Sequence, residues 1–166
     1  EKAQTMTVQL SQFLRHSLDN NPDTKITLAE EIRALNLYLE IEKTRFADRL
    51  QLDFLVDEEA KFALVPSLLL QPIIENSMKH AISKNEKGGT IELRARIKQD
   101  RLIIEINDTG ANDANDANDA KLKTLDSKNE TGVGLKNTEQ RLSVLYENDY
   151  QINSIRRAEG GRSTRI

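Results

Sequence analysis

Residues 71–82 read QPIIENSMKHAI, and the fold turns on how this stretch is taken. Ile73, Ile74, Met78, Ala81 and Ile82 recur at helical spacing and make one apolar face. Glu75, Asn76, Lys79 and His80 interrupt the same helix with polar groups. Asn76, Lys79 and His80 stand at i, i+3 and i+4, so they project from one side. A neutral amide oxygen suits Mg²⁺, a hard cation that takes oxygen ligands and keeps waters and substrate phosphates. A lysine one turn on meets phosphate oxygens as a point charge. The imidazole beside it suits contact with a base or sugar. The same three residues also fit a solvated helix face.

Working outward, MTVQLSQFLRHSLDN (6–20) has helical periodicity through Leu10, Phe13, Leu14 and Leu18. NNPDTK breaks it. Thr27 then starts a second helix, because Thr27 and Glu30 have capping-box spacing, and Ile32, Leu35, Leu39 and Phe46 carry it to about Asp48. Two such helices suggest a hairpin-like arm. RLQLDFLVD alternates as a strand does, with Leu50, Leu52, Phe54 and Val56 on one face. VPSLLLQPIIENSMKHAI is expected to be one helix from about Val65. TIELRARIKQ and LIIEIND form an expected antiparallel pair turned by DR. Residues 111–131 include ANDANDANDA and few apolar positions, the pattern of a mobile loop or a short frayed helix. GVGLKNTEQRLSVLYE is a glycine-led amphipathic helix, and YQINSIRR and RSTRI are strands joined by AEGG. This order predicts an α+β fold. It is a two-layer α/β sandwich with a mixed, largely antiparallel sheet, preceded by two N-terminal helices.

Composition narrows the function. The chain of 166 residues is 37% hydrophobic and 31% charged, enough for one core with much polar surface. A net charge of −3 argues against nucleic-acid backbones as a direct partner. No cysteine occurs, which excludes disulfides and thiolate metal sites. No run of about 18 apolar residues appears, so this stretch itself is not expected to contact a membrane. The sequence starts at Glu1 and stops at Ile166 in an apparent strand, and is read as a piece of something longer.

Two further features join the 71–82 helix. EINDTG ends a strand with Asp108 and Gly110. A carboxylate there accepts hydrogen bonds, for instance from an exocyclic amino group, and a glycine lets a flat ring approach the backbone. An ordinary turn after a strand reads the same way. TGVGLKN places Gly132 and Gly134 before a helix, where exposed N–H groups and the positive end of the helix dipole suit phosphate, although glycines are common at helix starts.

The order and spacing of these three features resemble the Bergerat-fold (GHKL) ATP-binding domain of histidine kinases. LQPIIENSMKHAI is similar to the N box, DTG to the G1 box and GVGL to the G2 box. Upstream, LSQFLRHSL, YLEIEKTRFADRL and VPSLLLQPIIEN resemble the LytS-like sensor histidine kinases. The G1 box departs from D-x-G-x-G, since Ala111 and Asn112 follow Gly110. Its lid carries Asp113, Asp116 and Asp119 with Lys121, Lys123 and Lys128.

The resemblance implies ATP and Mg²⁺ as cofactors. It assigns Asn76 to the metal, Lys79 to phosphate, His80 to the nucleotide lining, and Asp108 to adenine N6 with Gly110 under the ring. Gly132 and Gly134 would hinge the lid and approach the phosphates, and Thr164 would support Asp108. Glu75 is either a general base or a residue turned off the site toward a surface cation. The expected division is a helical segment over 1–48, an incomplete dimerisation and phosphoacceptor region, and an ATP-binding catalytic domain over 49–166 with a truncated last strand. His16 is read as helix surface or core edge. The phosphoacceptor histidine would then lie outside this stretch, which alone would not autophosphorylate.

The implied partners are that histidine segment of the same parent, a response regulator, and a second copy in a homodimer. The implied setting is the cytoplasmic part of a membrane-anchored bacterial protein. Two other readings stand beside this one: an ATPase of the same fold, and a non-catalytic dimerising module with a degenerate nucleotide site. Pro72 occupies the position four before Asn76 where the ATPase relatives place a water-activating glutamate.

Overall fold

A computed structural model describes residues 8, 11, 24–83, 85–109, 133–157 and 160–166. The expected helix over 6–20 lies outside the described residues apart from Val8 and Ser11, which are helical.

Helix α1 (Leu28–Phe46) starts where its capping box predicts. The Thr27 hydroxyl accepts the Glu30 N–H at 3.3 Å, and the Glu30 carboxylate accepts the Thr27 N–H at 2.9 Å. Glu30 and Glu31 in the first turn, with Lys43 and Arg45 in the last, match the helix dipole. Two strands flank the helix in ways the sequence reading missed. Strand β1 (Lys25–Thr27) precedes α1 directly and pairs antiparallel with β3 (Leu64–Pro66).

The main sheet has five strands in the order β2-β4-β5-β7-β6. They are β2 (Leu50–Val56), β4 (Gly89–Lys98), β5 (Arg101–Asp108), β6 (Asn153–Arg156) and β7 (Arg162–Arg165). Strands β2 and β4 are parallel, which requires a crossover, and β3 with helix α2 (Gln71–Ser77) supplies it. The other three pairings are antiparallel, giving the expected mixed sheet. The β4–β5 turn centres on Gln99 and Asp100, both with positive φ (51° and 58°), one residue earlier than the sequence suggests. Positive φ at both central residues is the form that matches strand twist in a two-residue hairpin.

Helix α2 begins at Gln71, not near Val65. Val65 and Pro66 are held extended by β1, and Leu68 has φ 58°, which no α-helix admits. A residue before proline is also disfavoured in the helical region. The third helix, α3 (Val133–Tyr146), follows the sequence prediction.

One face of the sheet is apolar. Ile91, Leu93 and Ala95 of β4 and Ile104 and Ile106 of β5 are buried with Ile73, Ile74, Met78 and Ile82 in one core cluster. Leu28, Leu35, Leu39 and Phe46 of α1 belong to the same cluster. Helix α2 packs on β5, α3 packs on α2 and β3, and α1 packs on β1 and β3. The opposite sheet face is polar: Arg96 and Arg165 flank Glu105 at 2.7 and 3.3 Å, and Arg94 pairs with Glu92. One apolar and one solvated face is the pattern of a two-layer sandwich. Among the described residues no helix is long and apolar enough to cross a membrane.

Candidate functional site

Helix α2 buries the face its periodicity predicts. Ile73, Ile74, Met78, Ala81 and Ile82 are each 3% exposed or less. Asn76 is half-buried at the margin of that face, and Glu75 and Lys79 are exposed. Beyond Ser77 the helix widens into a π turn over Met78–Ile82, closed where the Ser83 N–H donates to Met78 O at 2.9 Å. Such turns are rare and recur at functional sites. Lys79 and the backbone of His80 lie within it; the His80 side chain lies outside the described residues. Glu75 is turned to its own helix, where its carboxylate accepts the Gln71 amide at 2.7 Å. The hydroxyl pKa of Tyr38 in α1 is raised by burial and by the charges of Glu42 and Glu75.

Arg49 ties down the far end of this helix. Its guanidinium donates to Ile82 O at 2.9 Å, a carbonyl that the helix end leaves without an intrahelical partner, and to Asn85 O at 2.7 Å in the turn that follows. Gly88 lets the chain pass. Its φ is +78°, and a Cβ there would stand 2.1 Å from Arg49 O.

Asp108 ends β5. It is 2% exposed and stands opposite Ile91, in the row of Ile104 and Ile106. Alternation along the strand therefore puts its carboxylate on the face that α2 covers. Oδ1 accepts the Arg162 N–H at 3.0 Å. Thr164 is paired with Ile106 and buried on the same face, with its hydroxyl 2.9 Å from that of Ser154. Thr109, next to Asp108, accepts the Thr90 N–H at 2.8 Å and fixes the strand end.

Gly134 lies in the first turn of α3 and against α2. A Cβ at this position would sit 3.4 Å from Pro72 Cβ, an ordinary contact. Gly110 and Gly132 lie outside the described residues, as do the lid positions between them.

A second set of polar residues holds these elements in place, and the sequence reading passed over it. Glu31 of α1 is 2% exposed. Its two oxygens accept the N–H groups of Leu68 and Leu70, each at 2.8 Å. Burial raises its pKa, against the opposing pull of the Leu70 and Leu68 amides and of the Arg141 charge. Arg141 of α3 donates to Ser67 O at 2.5 Å and to Leu68 O at 3.5 Å. The clue was available: Glu31 follows Leu28 by three residues and precedes Leu35 by four, on the apolar stripe of α1.

Of the expected site residues, Asn76, Lys79, Asp108, Gly134 and Thr164 belong to α2, to α3 or to the sheet face that α2 covers. They offer an oxygen ligand, a cation, a buried acceptor and a side-chain-free backbone. That donor set fits a metal-bound nucleoside triphosphate. A shallow depression of about 350 Å³ lined by Asn137, Gln140, Arg141 and Val144 holds none of them.

Comparison with known proteins bears on the fold and on relatives. A family model described as histidine kinase matches residues 1–50. The sensor protein LytS of Staphylococcus epidermidis is 33% identical over 154 residues, which are 92% of this chain and 26% of that protein. The sensor histidine kinase BtsS of Escherichia coli is 33% identical over 153 residues, 92% of this chain and 25% of BtsS. The chain thus spans about a quarter of the length of these curated relatives. The catalytic domain of the histidine kinase ThkA superposes with a TM-score of 0.58 at 15% identity, covering 86% of this chain and 94% of that domain. The chain thus shares the fold of a histidine kinase catalytic domain and is one-third identical to the sensor histidine kinases LytS and BtsS across nine-tenths of its own length.

Proposed function

We propose that this chain binds ATP with Mg²⁺ and presents the γ-phosphate to a histidine outside it, as part of a two-component sensor kinase. The observation that carries this reading is the buried carboxylate of Asp108, at a strand end on the sheet face beneath the helix that bears Asn76 and Lys79. When bound, Mg²⁺ and ATP together supply the phosphoryl group and much of the charge neutralisation its transfer needs. Asn76 offers the metal its amide oxygen. Lys79, exposed on the π turn, meets phosphate oxygens, and His80 lines the nucleotide. Asp108 accepts the adenine amino group, Gly110 leaves room for the ring, and Thr164 supports the carboxylate from the neighbouring strand. Gly132 and Gly134 keep side chains away from the phosphates at the start of α3.

Transfer to histidine is favoured over hydrolysis by Pro72. It has no proton acceptor, and it is packed beneath Gly134. The bond from Gln71 to Glu75 supports reading Glu75 as turned off the site. We further assign residues 1–48 to the helical dimerisation segment, docked through α1 onto the catalytic portion over 49–166. The parent would be a membrane-anchored bacterial homodimer that passes phosphate to a response regulator, with this part in the cytoplasm.

Calorimetric titration with a non-hydrolysable ATP analogue tests the reading. Binding that strengthens with Mg²⁺, and slow turnover of ATP itself, are expected. Silence at millimolar nucleotide would favour the non-catalytic dimerising module, and fast turnover the ATPase.

A further inference from the structure

We infer that Arg141 is a positioning residue for the nucleotide site, pinning α3 to the start of α2 and so setting the gap that a triphosphate must span. The inference rests on the nucleotide reading above and adds a residue to it.

Gly134 and Arg141 are seven residues apart, two helical turns, and therefore share a face of α3. Both meet the same stretch of chain. Gly134 lies against Pro72, in the first turn of α2. Arg141 donates to the carbonyls of Ser67 and Leu68, a few residues before that turn. Two contacts along one helix face fix both its distance and its tilt; one contact would leave the tilt free.

The loop that Arg141 grips is itself rigid. Ser67 is fully buried, so its carbonyl needs a donor from within the protein. The Glu31 carboxylate takes the N–H groups of Leu68 and Leu70 from the other side. One loop thus has its amides held by an anion from α1 and its carbonyls held by a cation from α3. The opposite charges also offset each other's cost of burial. Rigid contact at this loop matters because Asn76 and Lys79 ride on α2, while the glycine-led turn belongs to α3. A ligand that touches both helices feels their separation. A ligand read mainly by Asp108, on β5, does not.

The test compares Mg²⁺ with an ATP analogue against adenosine, by calorimetry on the full 166-residue chain. Arg141→Leu should weaken the triphosphate about tenfold, the worth of a charge-assisted hydrogen bond, and move adenosine by less than about twofold. Arg141→Lys keeps the charge and one donor and should recover part of the loss. It also serves if the leucine variant does not fold. Unchanged triphosphate affinity in variants that fold, beside a wild type that binds, overturns the role of Arg141 alone. Equal weakening of both ligands marks a general packing role and also overturns it. A wild type that binds neither ligand overturns the nucleotide reading and this role with it.

Discussion

The carboxylate of Asp108 accepts the backbone N–H of Arg162 at 3.0 Å, so the residue expected to read adenine also joins β5 to the start of β7. The two roles separate by substitution. Asp108→Asn keeps an oxygen for Arg162 and should leave the urea midpoint nearly unchanged while abolishing preference for adenine over guanine nucleotides. Asp108→Ala leaves a partly buried N–H without this acceptor and should cost about 1 kcal/mol as well. Equal selectivity in wild type and Asp108→Asn would remove the base-reading role.

Asn76 is half-buried at the margin of the apolar face of α2 and is not part of the buried core. Asn76→Ala should therefore cost less than about 1 kcal/mol in stability. It should remove the Mg²⁺ dependence of nucleotide binding, read as the ratio of affinities with and without the metal. A ratio equal to that of the wild type would place the metal elsewhere.

Gly134→Ala separates fold from function in the opposite direction. The added methyl meets Pro72 at 3.4 Å, which is comfortable, and alanine favours a helix over glycine by about 0.5–1 kcal/mol. The variant should melt at or above the wild-type temperature and bind the triphosphate more weakly, because the new methyl narrows the approach to the backbone. Undiminished affinity would show that phosphate does not come near this turn.

Glu31 gives the fold a pH dependence of defined sign. Burial holds its pKa above the ordinary value of 4.5, so the native state keeps the proton longer than the unfolded chain does. Its contribution is therefore largest below 4.5 and declines as pH rises from there through the native pKa. The difference in unfolding free energy between wild type and Glu31→Gln, followed from acid to neutral pH, should fall with rising pH. A flat or rising difference would mean that the carboxylate is ionised more easily in the folded protein.

Features built from near neighbours were legible in the sequence. The Thr27–Glu30 box, the alternation of Leu50 to Val56 and the apolar face of 71–82 all appear where the periodicity puts them. What escaped was non-local. The Leu68 bond to Glu31 spans 37 positions and the Arg49 bond to Ile82 spans 33. Neither has a periodic signature. The same contacts explain the misplaced start of α2, because Val65 and Leu68 suit a helix by propensity but are held out of it by β1 and by a buried carboxylate. Asn76, Lys79 and Asp108 are candidates that motif order alone puts forward. The bonds of Arg141 have no such signal, since a basic residue in an amphipathic helix reads as surface until its partners are known.

The bond from Ser83 back to Met78 skips one residue more than a regular helix allows. In length it is equivalent to a single amino acid slipped into an otherwise uniform coil. Homologues that lack this widening should align with the region only after a one-position gap near 78–82. Comparing Lys79 and His80 across such proteins by column number alone would then pair side chains that point about a quarter-turn apart.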